Sequence, residues 1–105
     1  MTTEQFLKRL EDLHISSIAI AKRKNADYAG AGDPFKNFKM CESIGITTTE
    51  KGILVRMTDK LQRIANLLDN EAQVKDESIL DTLQDLSNYS LILRVYLESE
   101  HDSHK

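Results

Sequence analysis

All but one of the residues that break helices lie in one short span of this chain. Its 105 residues include one proline and four glycines; Gly30, Gly32, Pro34 and Gly45 fall between positions 30 and 45, and Gly52 is the one that lies outside. On both sides of that span apolar residues return every three or four positions, and no stretch of useful length alternates with period two. The expected fold class is all-α: a small helical bundle of three long helices plus one short helix.

Thr2 and Gln5 have the spacing of a capping box, in which each side chain satisfies the other's backbone N–H. Behind them Phe6, Leu10, Leu13 and Ile18, flanked by Leu7 and Ala21, predict a helix from about Thr3 to Lys24. Lys22, Arg23 and Lys24 suit the negative end of its dipole. A mobile loop over 26–32 follows. Asp33 and Pro34 make an N-cap and first-turn pair, because proline has no N–H to leave unsatisfied there. They open a short helix over 34–43 with Phe35, Phe38 and Cys41 on one face and Gly45 at C′. Thr47 and Glu50 form a second capping box, and Ile53, Met57, Leu61, Ile64 and Leu68 mark the core face of the next helix. A polar linker over 69–75 leads to a last helix capped by Asp76, with a core stripe of Ile79, Leu83, Leu86, Leu93 and Leu97. Residues 1–97 read as a single helical domain and 98–105 as a disordered, fraying tail.

The segment Tyr89–Leu97 is apolar nearly all round, and a helix of that kind must be covered on several sides. A bundle this small offers few covers, so a homo-oligomer (dimer or higher) formed through the C-terminal helix is expected. The competing reading leaves Tyr89 and Tyr96 half exposed.

Composition narrows the function classes. The net charge of −3 lacks the basic surface that duplex binding rests on, so no duplex nucleic acid is expected as a partner. No apolar run approaches the ~20 residues of a membrane span, and the first residues lack the layout of a signal peptide. The lone Cys41 forms no disulfide within the chain and fits a reducing compartment. Together these features lead to the expectation of a cytoplasmic protein with no membrane partner. HExxH, CxxC, P-loop and GxSxG patterns are absent, which gives zinc and serine-nucleophile chemistry no support.

Two charged rows carry what chemistry there is. Arg56, Lys60 and Arg63 fall within about 60° of one another on a helix, with Asp59 beside them. Such cations can clamp a phosphate chain, Arg through planar paired donors and Lys as a point charge. The plainer reading pairs Asp59 with Arg63 on a solvated face. On the last helix Glu77, Asp81 and Asp85 follow at four-residue steps, and Asn88 completes the row. Lined-up carboxylates repel unless a divalent metal or a cation row sits opposite. The Arg/Lys row of the neighbouring helix can play that second role.

Three segments taken together resemble a known family. They are the Asp33-Pro34-Phe35…Asn37-Phe38 element, the Arg56…Asp59-Lys60…Arg63 helix, and the helix carrying Asp76-Glu77-Ser78, Asp81-Thr82, Asp85-Leu86 and Asn88-Tyr89. Over residues 25–95 they look like the phage-associated nucleotide modification associated domain 1 family, which is similar to MazG-like all-α NTP pyrophosphohydrolases. The resemblance implies a helical bundle, often of viral origin and usually oligomeric, with a nucleotide site between helices. MazG-like enzymes hold Mg²⁺ with acidic pairs on two helices. Here only Asp59 is acidic past the first turn of the corresponding helix, while Lys60 and Arg63 stand where more carboxylate is expected.

The expected function is therefore binding of a phosphorylated nucleotide without turnover. Arg56, Lys60 and Arg63 grip the phosphates, Tyr28, Phe35 and Phe38 offer stacking surface, Asn37 reads a base edge, and Asn88 is a further ligand-binding residue. In a phage setting such a protein would sequester a cyclic or linear signalling nucleotide against host defence. The first alternative is a Mg²⁺-dependent nucleoside triphosphate pyrophosphohydrolase, with Asp59, Glu77, Asp81 and Asp85 holding the metal as catalytic residues; outside that reading no cofactor is expected. The second is a protein-interaction module with no nucleotide, in which the two phenylalanines cap the core and the charge rows neutralise each other.

Overall fold

The computed structural model describes residues 1–29, 32–70 and 79–103, and side chains over 1–26, 32–70 and 79–100. Four helices make it up: α1 (Thr3–Ala29), α2 (Lys36–Ser43), α3 (Thr49–Asp69) and α4 (Ile79–Ser103). Among the described residues there is no strand, so the all-α expectation holds. None of these helices is long and apolar enough to cross a membrane. The chain divides into two compact units, Met1–Pro34 and Phe35–Lys105.

The first unit is α1 and the turn that follows it. Its N-terminus is the predicted capping box: the Thr2 N–H donates to Gln5 Oε1 at 2.8 Å, and the Gln5 N–H to Thr2 Oγ1 at 3.1 Å. The helix does not stop at Lys24 but continues through Ala29. A basic run favours a helix end without forcing one, and no residue from Asn25 to Ala29 breaks a helix before Gly30. Tyr28, placed in a loop by the sequence reading, therefore belongs to α1; its side chain lies outside the described residues. Asn25 Nδ2 donates to the Pro34 carbonyl at 3.0 Å and ties the last turns of α1 to the following turn.

The second unit holds α2, α3 and α4. Helix α2 begins two residues later than Asp33 and Pro34 predict. Pro34 and Phe35 form a turn, and Phe35 is the N-cap, with φ −98° and ψ 6° and no side-chain cap. Its carbonyl accepts the first helical bond from Lys39 N–H at 2.9 Å. The C-terminus follows the sequence closely. Gly45 sits at φ +82°, a left-handed conformation natural to glycine. Its N–H bonds the Glu42 carbonyl at 3.0 Å, and the Ile46 N–H bonds the Cys41 carbonyl at 2.9 Å, which is a Schellman closure.

Helix α3 is capped one residue later than Thr47 and Glu50 suggest. Thr48, with extended dihedrals, accepts from the Lys51 N–H at 3.4 Å. Lys51 has no acceptor to return, so the box is half made. At the other end Asn70 Nδ2 donates to the Asn66 carbonyl at 3.0 Å.

Helices α3 and α4 pack antiparallel, with Lys60 opposite Asp85 and Thr49 opposite Tyr96. The seam repeats every seven residues on both sides: Ile53, Lys60 and Leu67 on α3, and Thr82, Tyr89 and Tyr96 on α4. Ile53, Leu67, Thr82 and Tyr96 are buried, while Lys60 and Tyr89 are half-buried. The predicted core faces hold in part: Ile53 is buried and Met57, Ile64, Ile79, Leu86 and Leu93 are half-buried, but the faces are turned away from the rest. Leu61 and Leu68 of α3, and Leu83 and Leu97 of α4, are exposed. Hydrophobicity alone put the leucines inward. Three polar side chains, Lys60, Thr82 and Tyr96, hold inward positions instead, Lys60 paired with a carboxylate and Tyr96 with a hydroxyl. Helix α4 continues to Ser103, past Leu97. The linker over 71–75 and the Asp76 cap lie outside the described residues.

Candidate functional site

Helix α2 lies on one flank of the α3–α4 hairpin, and three contacts fix it there. The Phe38 ring meets Tyr89 of α4 edge-on, with centroids 6.2 Å apart and planes at 88°. The Arg56 guanidinium of α3 lies over the Phe38 ring, 4.8 Å from its centroid. One turn away, Phe35 meets Tyr96 edge-on at 5.3 Å and 74°. Edge-to-face pairs join the positive rim of one ring to the negative face of the other, and each contributes about 0.5–1.5 kcal/mol. The guanidinium over Phe38 adds about 0.5–1 kcal/mol at an exposed site.

The close approach of α2 to α3 depends on Gly52. A Cβ there would sit 2.5 Å from Cys41 Sγ. The sulfur is 3.2 Å from the Phe38 carbonyl and 3.7 Å from the Thr48 carbonyl, so it is held on both sides. Cys41 is accordingly a packing residue of the α2–α3 contact, as its apolar-face position suggests.

Below the rings runs a hydrogen-bonded chain. The Thr49 hydroxyl, fully buried, donates to Glu42 Oε2 at 3.0 Å. The Tyr96 hydroxyl bonds Thr49 from the other side. With the Thr49 proton committed to the carboxylate, the phenol must be the donor. Burial pushes the Tyr96 phenol above its ordinary value of 10.0; the Thr49 bond pulls the other way, and Glu100, Glu42 and Glu50 add to the rise. Tyr96 is therefore held neutral as a donor.

The structure separates residues that the sequence grouped. Of the three cations, Lys60 is turned into the α3–α4 seam, its Nζ 3.4 Å from Asp85 Oδ2 and both side chains less than a quarter exposed. Cross-helix charge matching, one of the two roles available to the rows, is thus realised at this pair. Arg56 and Arg63 stay on the exposed flank of α3. Seven residues separate them, so they lie about 20° apart around the helix and two turns apart along it. Asn37 is exposed on α2, and Asn88 is half-buried on α4. Phe35 is engaged with buried Tyr96, whereas Phe38 presents a ring already stacked with a cation.

The carboxylates do not converge. Asp85 is taken up by Lys60, and Asp59 and Asp81 are exposed. Among the described residues no three His, Cys, Asp or Glu side chains come together to hold a metal ion. Glu77 lies outside the described residues.

Sequence reading missed Tyr89, Tyr96, Thr49 and Glu42. The signal was present in the seven-residue spacing of Thr82, Tyr89 and Tyr96, but a search for leucine stripes passes over it.

Residues 24–97 match the sequence family described as nucleotide modification associated domain 1. Neither a curated protein nor a solved structure matches the chain.

Proposed function

The chain belongs to the nucleotide modification associated domain 1 family, and from that premise we propose that it binds a phosphorylated nucleotide on the α2 flank of the α3–α4 hairpin without turning it over. The observation that carries this reading is the Arg56 guanidinium resting on Phe38. A guanidinium held over an aromatic ring is restrained in position, and its planar fork can pair with phosphate oxygens through two donors at once. The ring beneath is itself fixed by Tyr89. The donor is thus preorganised, which reduces the ordering cost of binding. Arg63, on the same side of α3, extends the cationic strip along the helix, and Asn37 and Asn88 offer amide groups for a base or sugar. Lys60, neutralised by Asp85, positions the hairpin and does not grip phosphate.

This reading includes a cyclic or linear signalling nucleotide as ligand, captured intact in a phage-encoded defence against its host. It also includes a homo-oligomer formed with α4. Retention rather than hydrolysis is supported by Lys60, which stands paired with Asp85 where a MazG-like site calls for more carboxylate. A second reading, a MazG-like Mg²⁺-dependent pyrophosphohydrolase, draws on Asp81 and Asp85 standing one turn apart on α4.

The test is direct. The purified protein is incubated with Mg²⁺ and a panel of nucleoside triphosphates, cyclic dinucleotides and signal-type nucleotides. Bound ligand is separated by gel filtration, released by denaturation and identified by chromatography. A ligand that co-elutes and returns intact establishes binding. Conversion of a triphosphate to monophosphate and pyrophosphate replaces this reading with the enzymatic one. Neither retention nor conversion leaves a protein-interaction module.

A further inference from the structure

Among the described residues, α2 is the one helix that buries no side chain. The other three each bury at least one: Ser17 in α1, Thr49, Ile53 and Leu67 in α3, Thr82 and Tyr96 in α4. Helix α2 is held instead by groups that are half-buried or exposed. Phe35 rests on Tyr96, Phe38 on Tyr89 and under Arg56, the Cys41 sulfur against Gly52, and Glu42 on the Thr49 hydroxyl. Eight residues are too few for a helix to persist alone in water, so α2 stays helical only while these contacts last.

Both ends of α2 allow it to leave. No side chain caps its N-terminus at Phe35. Past its C-terminus Gly45 has φ +82°, and a Cβ built there would meet nothing within 4 Å. Ile44 and Ile46 on either side are 63% and 72% exposed. The turn is thus held by its backbone bonds rather than by packing, and its glycine has the dihedral freedom of a hinge. The hydroxyl chain divides at the same boundary. The bond from Tyr96 to Thr49 stays within the hairpin, whereas the bond from Thr49 to Glu42 crosses to α2. Glu42 is already exposed, so releasing it strands no buried charge.

We infer that α2 is a latch on the candidate ligand flank: it undocks as a unit about Gly45 while the α3–α4 hairpin stays folded, and a nucleotide on the flank ties it down. The second half rests on the binding reading proposed above. Undocking takes Phe38 from beneath Arg56 and parts Asn37 on α2 from Arg56 on α3, which dismantles the flank. A nucleotide gripped from both helices binds the docked state alone and shifts the population toward it. Capture and closure are then one equilibrium.

Cys41, the chain's single cysteine, reports the latch. Its sulfur lies in the α2–α3 contact, where a Cβ on Gly52 would come within 2.5 Å. Its labelling by a chromogenic aromatic disulfide follows the open population when opening and closing are fast. In the full chain without nucleotide, that rate is divided by the rate in the urea-unfolded chain. The quotient is expected to exceed the limit set by global unfolding, with α2 amides exchanging hydrogen ahead of those around Ile53. Glu42→Ala removes one hydrogen bond and should raise the quotient roughly threefold to tenfold, with exchange in α3 and α4 unchanged. Glu42→Gln keeps an acceptor and should recover most of that change. Labelling and α2 exchange no faster than global unfolding overturn the latch, as does an unchanged quotient in Glu42→Ala. ATP or cyclic di-AMP, where retained on gel filtration, should slow labelling as occupancy rises. Retention with an unchanged labelling rate overturns the coupling. If no nucleotide of the panel is retained, the binding reading fails and takes the coupling with it, while labelling without nucleotide still decides the latch.

Discussion

Lys60 and Asp85 face each other across the α3–α4 seam with nitrogen and oxygen 3.4 Å apart, and each keeps under a quarter of its side chain in solvent. Neither charge is fully desolvated, so the pair itself contributes little net stability; removing one member is what costs, because it strands the other. Lys60→Met is expected to lower unfolding free energy by roughly 1–3 kcal/mol, and Asp85→Leu by a similar amount. The double substitution should return close to the starting stability. Urea denaturation of the four proteins gives the coupling directly. Additive losses would mean that the two charges do not interact in solution.

The Gly52–Cys41 contact gives a prediction of opposite sense to helix propensity. Alanine in place of glycine within a helix is ordinarily stabilising, by about 0.8–1.0 kcal/mol. Here the new methyl would lie 2.5 Å from Cys41 Sγ, which is itself held between two carbonyls. Overpacking of this kind costs about 1–3 kcal/mol, so Gly52→Ala should be net destabilising. Placing it in a Cys41→Ala background removes the clash, and there the substitution should become stabilising. A change of sign between the two backgrounds in thermal melts is the expected observation.

Tyr96 predicts a feature of alkaline titration. Its phenol is raised above 10.0, with burial as the main cause. The sign follows from linkage: the folded state holds this proton more tightly than the unfolded chain. The associated stability is fully present below about pH 10 and is lost as pH rises through the folded value. Phenolate absorbance should therefore show a late component coinciding with loss of helical signal. In Tyr96→Phe that component should be missing. Ionisation of all three tyrosines together below pH 10 would contradict the buried placement.

These contacts show what was legible in the sequence and what was not. Caps and glycines act locally, so the Thr2–Gln5 box and the Gly45 closure could be read residue by residue. Helix ends set by weak preferences were misplaced: Lys22–Lys24 invited a stop that α1 ignores, and Pro34 was absorbed into a turn ahead of α2. The core face was legible only in part, and for a different reason: Ile53 is buried and Ile64 and Leu86 are half-buried, while Leu61 and Leu97 are exposed. Leucine stripes mark an apolar surface but do not say which apolar surface faces the helix's own neighbour. On α3 the rows through Leu61 and through Lys60 are adjacent, and only the partner Asp85 on α4 decides between them. The grouping of Arg56, Lys60 and Arg63 failed with it, since a rotation that brings Lys60 inward leaves the two arginines outside. The aromatic contacts needed three helices to be placed at once, and no local pattern reports that.

Arg56 and Phe38 carry the sharpest test of the functional reading. If the guanidinium grips phosphate while resting on the ring, charge alone is insufficient. Arg56→Lys preserves the charge but loses the planar pair of donors and much of the stacking. Hydrogen bonds to a charged group contribute about 1.5–3 kcal/mol, so Arg56→Ala should weaken nucleotide retention by roughly tenfold to a hundredfold. Arg56→Lys should recover only part of that loss. Phe38→Leu keeps an apolar contact for α2 but removes the platform, and it should weaken binding while helical signal persists. Raising salt should weaken all the ionic contributions together. Equilibrium dialysis against a retained nucleotide measures each case. Full affinity in Arg56→Ala and Phe38→Leu alike would move the site away from the α2 flank and remove the observation on which the proposed function rests.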